Sequence, residues 1–109
     1  MDDSPVLACV AVGANLGDAV RTVQQALQDL GRLPHTQLEK TSSLYRTAPH
    51  EAKGPDFINA VALVRTRLSS LQLLHALQDL EQQQGRQRPY KNAPRTLDLD
   101  LIFYADQTL

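Results

Sequence analysis

Residues 94–104 read PRTLDLDLIFY. Two aspartates stand two positions apart in a run that is otherwise leucine, isoleucine and aromatic. On a strand, alternate side chains share a face. Leu97, Leu99, Leu101 and Phe103 then fall on one side, and Asp98 and Asp100 on the other, with roots about 7 Å apart. On a helix the two carboxylates would point in nearly opposite directions. The strand reading makes them neighbours and predicts two like charges buried side by side. Such a pair repels, and burial adds a desolvation cost of several kcal/mol or an upward pKa shift. A hard cation relieves both, and Mg²⁺ takes one or two carboxylates with waters and phosphate oxygens. The plainer alternative is a strand that shows its polar face to water.

The basic residues Arg86, Arg88, Lys91 and Arg95 lie just upstream, in a chain whose net charge is −1. Guanidinium forks match phosphate oxygens. Carboxylates that hold a metal beside several arginines fit a nucleoside triphosphate, whose charge both would neutralise. A solvated basic loop is the competing reading of the arginines. The chain contains no GxxxxGK[ST] motif, and "GANLGD", residues 13–18, reads as a turn rather than a dinucleotide fingerprint.

The remaining elements follow from periodicity. Val6 to Val12 is a short apolar run suited to a central strand, closed at Gly13. "DAVRTVQQALQDLG" spaces Val20, Val23, Leu27 and Leu30 as a helix, with Asp18 as N-cap and Gly31 after its end. Leu38 to Tyr45 reads as a strand, "TAPHEAKGPD" as a loop, and Phe57 to Arg65 as a strand buried on both faces. "SSLQLLHALQDLEQQQG" opens with Ser69 and Gln72 in a capping-box arrangement. Leu73, Leu77 and Leu80 stack on one face of that helix, and Gly85 closes it. Glu81 borders the stripe with Gln78 one turn earlier. A carboxylate there is expected to be paired with an arginine or to be functional. Thr96 to Tyr104 is the last strand. The order β-α-β-β-α-β predicts an α+β, ferredoxin-like domain over residues 1–109, with two helices on one face of an antiparallel sheet.

Composition narrows the function classes. At 42% hydrophobic and 21% charged residues, the balance leaves no electrostatic footprint for nucleic acid or an anionic membrane. No apolar stretch reaches the ~20 residues of a membrane span. The N-terminus carries no secretory pattern, and the lone Cys9 reads as a buried small residue in a reducing, cytoplasmic compartment. His35 and His75 read as surface residues.

The segments "GANLGD", "SSLYRTAP", "PDFINAV", "LEQQQGRQR" and "APRTLDLDLIFY" occur in the order found in 6-hydroxymethyl-7,8-dihydropterin pyrophosphokinases, and the resemblance runs along nearly all 109 residues. It implies transfer of pyrophosphate from ATP to the hydroxymethyl group of a reduced pterin, with release of AMP, in folate biosynthesis. By this resemblance Asp98 and Asp100 hold two Mg²⁺ ions, and Arg86, Arg88 and Arg95 bind phosphate, the first and last as catalytic groups. Gln78 and Leu101 contact the nucleotide, and Glu81 supports the metal ligands. Thr47, Ala48 and His50 touch the pterin, Phe57 stacks on it, and Asn59 bonds its edge. Partners would be small molecules, with no nucleic acid and no membrane. The family's C-terminal extension has no counterpart here, and Ala93 stands where the family usually has glycine. The rival readings are an ATP- or pterin-binding domain with little turnover, and a ferredoxin-like interaction module.

Overall fold

The computed structural model describes residues 4–49, 54–85 and 97–108. The elements are β1 (Val6–Ala14), α1 (Ala19–Leu30), β2 (Thr36–Thr41), β3 (Tyr45–Thr47), β4 (Phe57–Thr66), α2 (Ser70–Gly85), β5 (Asp98–Tyr104) and β6 (Gln107–Thr108). They form one sheet in the order β2-β4-β1-β5-β6, with β3 also pairing β4. Strands β1–β4, β1–β5 and β2–β4 all pair antiparallel. Because β2 and β3 both line the outer edge of β4, together they form the single second strand of the expected ferredoxin-like pattern.

The split between β2 and β3 has a local cause. Ser42 Oγ accepts the N–H of Val61 at 2.8 Å, in place of a main-chain carbonyl, while Ser42 N donates to Val61 O. A hydroxyl standing in for the ladder breaks the regular strand without detaching the chain from β4.

One face of the sheet carries the core. Ala8, Val10, Val12 and Ala14 of β1, and Ile58, Ala60, Ala62 and Val64 of β4, point toward the helices with Leu97 and Leu99. Both helices lie on this side. In α1, Val23, Ala26, Leu27 and Leu30 are buried, whereas Val20 is 41% exposed and falls off the stripe. Asp18 caps α1, its carboxylate accepting the N–H of Arg21. Gly31 keeps a right-handed φ of −70°. Its value lies in close packing, since a Cβ there would meet Leu38 Cβ at 3.3 Å. In α2 the capping box is reciprocal, with Ser69 N donating to Gln72 Oε1 at 2.8 Å and Gln72 N to Ser69 Oγ at 3.1 Å. Leu73, Leu77 and Leu80 are buried as expected, each worth about 1.5–3 kcal/mol of transfer free energy.

Three expectations change. The strand β4 is not buried on both faces, because its residues alternate between buried and half-buried along the whole strand. The strand β1 runs through Gly13 to Ala14 instead of closing at Gly13, so Gly17, with φ of 60°, is the turn glycine. In β5 the pairing register shifts between Cys9 and Val10, whose partners are Phe103 and Leu101. Ile102 is the extra residue, and past this bulge the faces exchange. Tyr104, not Phe103, therefore packs on the core, and its hydroxyl donates to Leu68 O at 2.6 Å. Cys9 is buried, and burial pushes its thiol pKa up from 9.0. Among the described residues no helix is long and apolar enough to cross a membrane.

Candidate active site

The second face of the sheet has no described helix on it, and the candidate residues gather at one end. Strand β1 runs between β4 and β5, and Gly13 is opposite Asn59 on one side and Asp98 on the other. Tyr45 of β3 is opposite Asn59. One rung across the sheet thus reads Tyr45–Asn59–Gly13–Asp98. The next rung reads Val61–Ala11–Asp100. With strands about 4.8 Å apart, Asn59 and Asp98 stand about 10 Å from each other across a residue without a side chain.

The aspartates share this face as the alternation required, but they are exposed rather than buried. Water therefore screens their mutual repulsion, and the pair does not need a cation in order to fold. As a donor set the two carboxylates still suit Mg²⁺. They offer hard oxygen ligands on one face and leave most of the shell to water and substrate oxygens. Among the described residues no third His, Cys, Asp or Glu joins them in a metal-binding group, and no hydrogen bond or ion pair engages either carboxylate.

Glu81 approaches β5 from the helix side. Its Oε2 accepts the N–H of Leu99, the residue between the two aspartates, at 2.8 Å. Its partner among the described residues is thus a main-chain amide and not a guanidinium. Together with the Tyr104 hydroxyl bond, this contact ties both ends of β5 to the segment that carries α2.

Asn59 is held from the other direction. Its Nδ2 donates to Thr47 Oγ1 at 2.9 Å and lies 3.4 Å from Tyr45 O and 3.5 Å from Phe57 O. That leaves Oδ1 as the acceptor turned toward Gly13, where a Cβ would come within 3.3 Å of it. Thr47 is opposite Phe57, so the expected residues Thr47, Phe57 and Asn59 come together. Ala48 is exposed next to them. Tyr45, 48% exposed, adds an aromatic that the sequence reading passed over, although its spacing of two from Thr47 puts both on one face.

At the edge of β5 a cleft of about 420 Å³ is lined by Ser70, Leu71, Leu74, Leu99, Asp100 and Leu101. The expected nucleotide contact Leu101 meets Asp100 here. Leu71 and Leu74, 60% and 38% exposed, were missed. The available signal was helical spacing, since they continue the stripe of Gln78 and Glu81 toward the start of α2. Gln78 itself is exposed on that stripe. His50, Arg86, Arg88, Lys91 and Arg95 lie outside the described residues.

The described residues thus form a ferredoxin-like α+β domain that displays an anchored amide and paired carboxylates at one end of its open face, beside an apolar cleft. Comparison with known proteins narrows this further. Residues 9–109 match the family model described as 7,8-dihydro-6-hydroxymethylpterin-pyrophosphokinase, and the chain belongs to that family. It is 40% identical over 105 residues to the 2-amino-4-hydroxy-6-hydroxymethyldihydropteridine pyrophosphokinase of Haemophilus influenzae, covering 95% of this chain and 66% of the relative. The protein of the same name from Pseudomonas aeruginosa is 45% identical over 101 residues, covering 92% of this chain and 62% of the relative. That from Pseudomonas putida is 38% identical over 104 residues, covering 95% and 87%. The chain thus spans a little under two thirds of the first two relatives.

Proposed function

We propose that this chain transfers a pyrophosphoryl group from ATP to 6-hydroxymethyl-7,8-dihydropterin, in keeping with its membership of a pterin pyrophosphokinase family. The observation that carries the reading is the rung Asn59–Gly13–Asp98, which puts a ring-edge acceptor and a metal-type carboxylate on one open surface. The pterin lies against Phe57 and Tyr45, with the donors of its amino and ring N–H edge on Asn59 Oδ1. Thr47 keeps that amide turned the right way, and Ala48 and His50 complete the ring contacts. The adenosine end of ATP occupies the cleft between α2 and β5, against Leu71, Leu74 and Leu101, with Gln78 beside it. Its phosphates then pass Asp100 on the way to the pterin.

Asp98 and Asp100 would hold two Mg²⁺ ions, which supply charge neutralisation to the triphosphate. Arg86, Arg88 and Arg95 grip the phosphate oxygens, and Glu81 fixes the strand between the two aspartates. The hydroxymethyl oxygen forms a bond to the β-phosphorus as the bond from that phosphorus to the α-bridging oxygen breaks. AMP leaves with the α-bridging oxygen, and the hydroxyl proton passes to solvent water. Holding both reactants in line and matching the developing charge provide most of the acceleration. The same reading places the protein in the cytoplasm, where ATP and a reduced pterin meet.

The test is AMP formation from ATP, Mg²⁺ and the dihydropterin, in wild type and in Asp98→Ala. Turnover by the wild type and a loss of about a hundredfold or more in the variant are expected. Undiminished turnover in the variant removes the metal assignment. Calorimetric binding of both ligands with no AMP released would replace the transferase with a binding domain. Failure of ATP and Mg²⁺ to bind at all would favour an interaction module.

A further inference from the structure

The geometry points to Gly13 as a specificity-determining residue of the pterin site, a gap in the central strand that leaves Asn59 open to a flat ring edge. The inference rests on the pterin reading above and adds a residue to it. Nothing in the backbone asks for glycine at this position. Gly17 and Gly54 have positive φ, and Gly13 is not among the residues that do. It sits inside β1, paired on both sides, where glycine weakens a strand and often marks a close approach by something else. Along the open face of β1 the side chains shrink from Leu7 through Cys9 and Ala11 to Gly13, so the floor is lowest at the rung that joins Asn59 to Asp98.

The adjacent strand shows what the gap is for. A Cβ at position 13 would lie 3.3 Å from Asn59 Oδ1, tighter than ordinary van der Waals contact. Asn59 cannot swing aside without loosening its bond to Thr47 Oγ1 and its approach to the Tyr45 and Phe57 carbonyls. A methyl group there would stand over the acceptor oxygen, and would do so on the side from which a ring lying between Asn59 and Asp98 has to come. Leaving that acceptor uncovered is the job of Gly13. A ligand with a planar donor edge gains from the gap, whereas ATP at the α2–β5 edge does not depend on it.

Steady-state kinetics and melting curves of wild type, Gly13→Ala, Asn59→Ala and the double variant test this. In Gly13→Ala the KM for the dihydropterin should rise about tenfold or more, the size of a spoiled buried hydrogen bond. The KM for ATP should stay within about twofold, and the melting temperature should fall by no more than about 5 °C, since the better strand propensity of alanine offsets part of the strain of the Asn59 contact. Because Gly13 acts through Asn59, the double variant should be no worse than Asn59→Ala alone. An unchanged pterin KM in Gly13→Ala overturns the inference. So does loss of folded protein in Gly13→Ala, or a fall in melting temperature from Asn59→Ala to the double variant as large as that from wild type to Gly13→Ala, either of which would show that the strand itself needs the glycine. A wild-type protein that does not turn over the pterin would instead overturn the functional reading.

Discussion

Replacing Glu81 by alanine removes the acceptor for the Leu99 N–H, a 2.8 Å contact between a carboxylate and an amide. Leu99 is only 6% exposed and Glu81 is half-buried, so water replaces the lost partner poorly. A hydrogen bond to a charged group contributes about 1.5–3 kcal/mol, and an orphaned buried donor costs a similar amount. A loss of about 2 kcal/mol is therefore expected, which lowers the melting temperature of a domain this size by about 10 °C. Glu81→Gln keeps an oxygen in reach and should lose about half as much. The effect should be local as well as global. The Leu99 amide should exchange with solvent much faster in the alanine variant, and turnover should fall further than stability alone explains, because Asp98 and Asp100 flank the released amide. The assays are thermal melting by circular dichroism, amide exchange by NMR, and AMP formation. If Glu81→Ala melts within a degree or two of wild type with Leu99 still protected, the contact is not what holds β5 in place.

Three further outcomes follow. Leu74→Lys introduces a charge into the α2–β5 cleft at a position already 38% exposed. It should raise the KM for ATP by about tenfold, the worth of one apolar contact surface, while leaving melting and pterin KM nearly unchanged. Cys9 is buried, so iodoacetamide should label it slowly in the folded protein at pH 8 and rapidly in urea. Burial raises the Cys9 pKa above 9.0, so the folded state holds the thiol proton more tightly than the unfolded chain does. The stability this contributes is complete below the unfolded value and is lost as pH climbs toward the folded one. Cys9→Ala should flatten that alkaline decline.

Local chemistry made much of this molecule legible from its sequence. The capping box at Ser69 and Gln72, the cap at Asp18 and the stripe of Leu73, Leu77 and Leu80 each rest on interactions a few residues apart. The alternation at residues 97–100 placed both aspartates on one face for the same reason. What escaped depended on contacts distant in sequence. The break after Thr41 depends on a hydroxyl that substitutes for the ladder against β4. The bulge at Ile102 depends on pairing with β1, and it reverses the faces of Phe103 and Tyr104. Gly13 resembled a turn glycine because its neighbours Asn15 and Gly17 do belong to a turn, and only the register with Asn59 and Asp98 shows it inside a strand. The exposure of Asp98 and Asp100 was misjudged because their leucine neighbours suggested a strand enclosed on both sides, whereas the described helices cover one.

The most direct test of the site uses Mn²⁺ in place of Mg²⁺, with a non-hydrolysable ATP analogue, and reads paramagnetic broadening of backbone amides by NMR. The account predicts that Ala11, Gly13, Leu99 and Asp100 broaden first. Leu7 and Arg65, which pair with each other at the far end of the sheet about 20 Å away, should stay sharp. The broadening should vanish when Asp98 and Asp100 are both changed to asparagine. Broadening centred at the Leu7–Arg65 end, or persisting undiminished in that double variant, would contradict it.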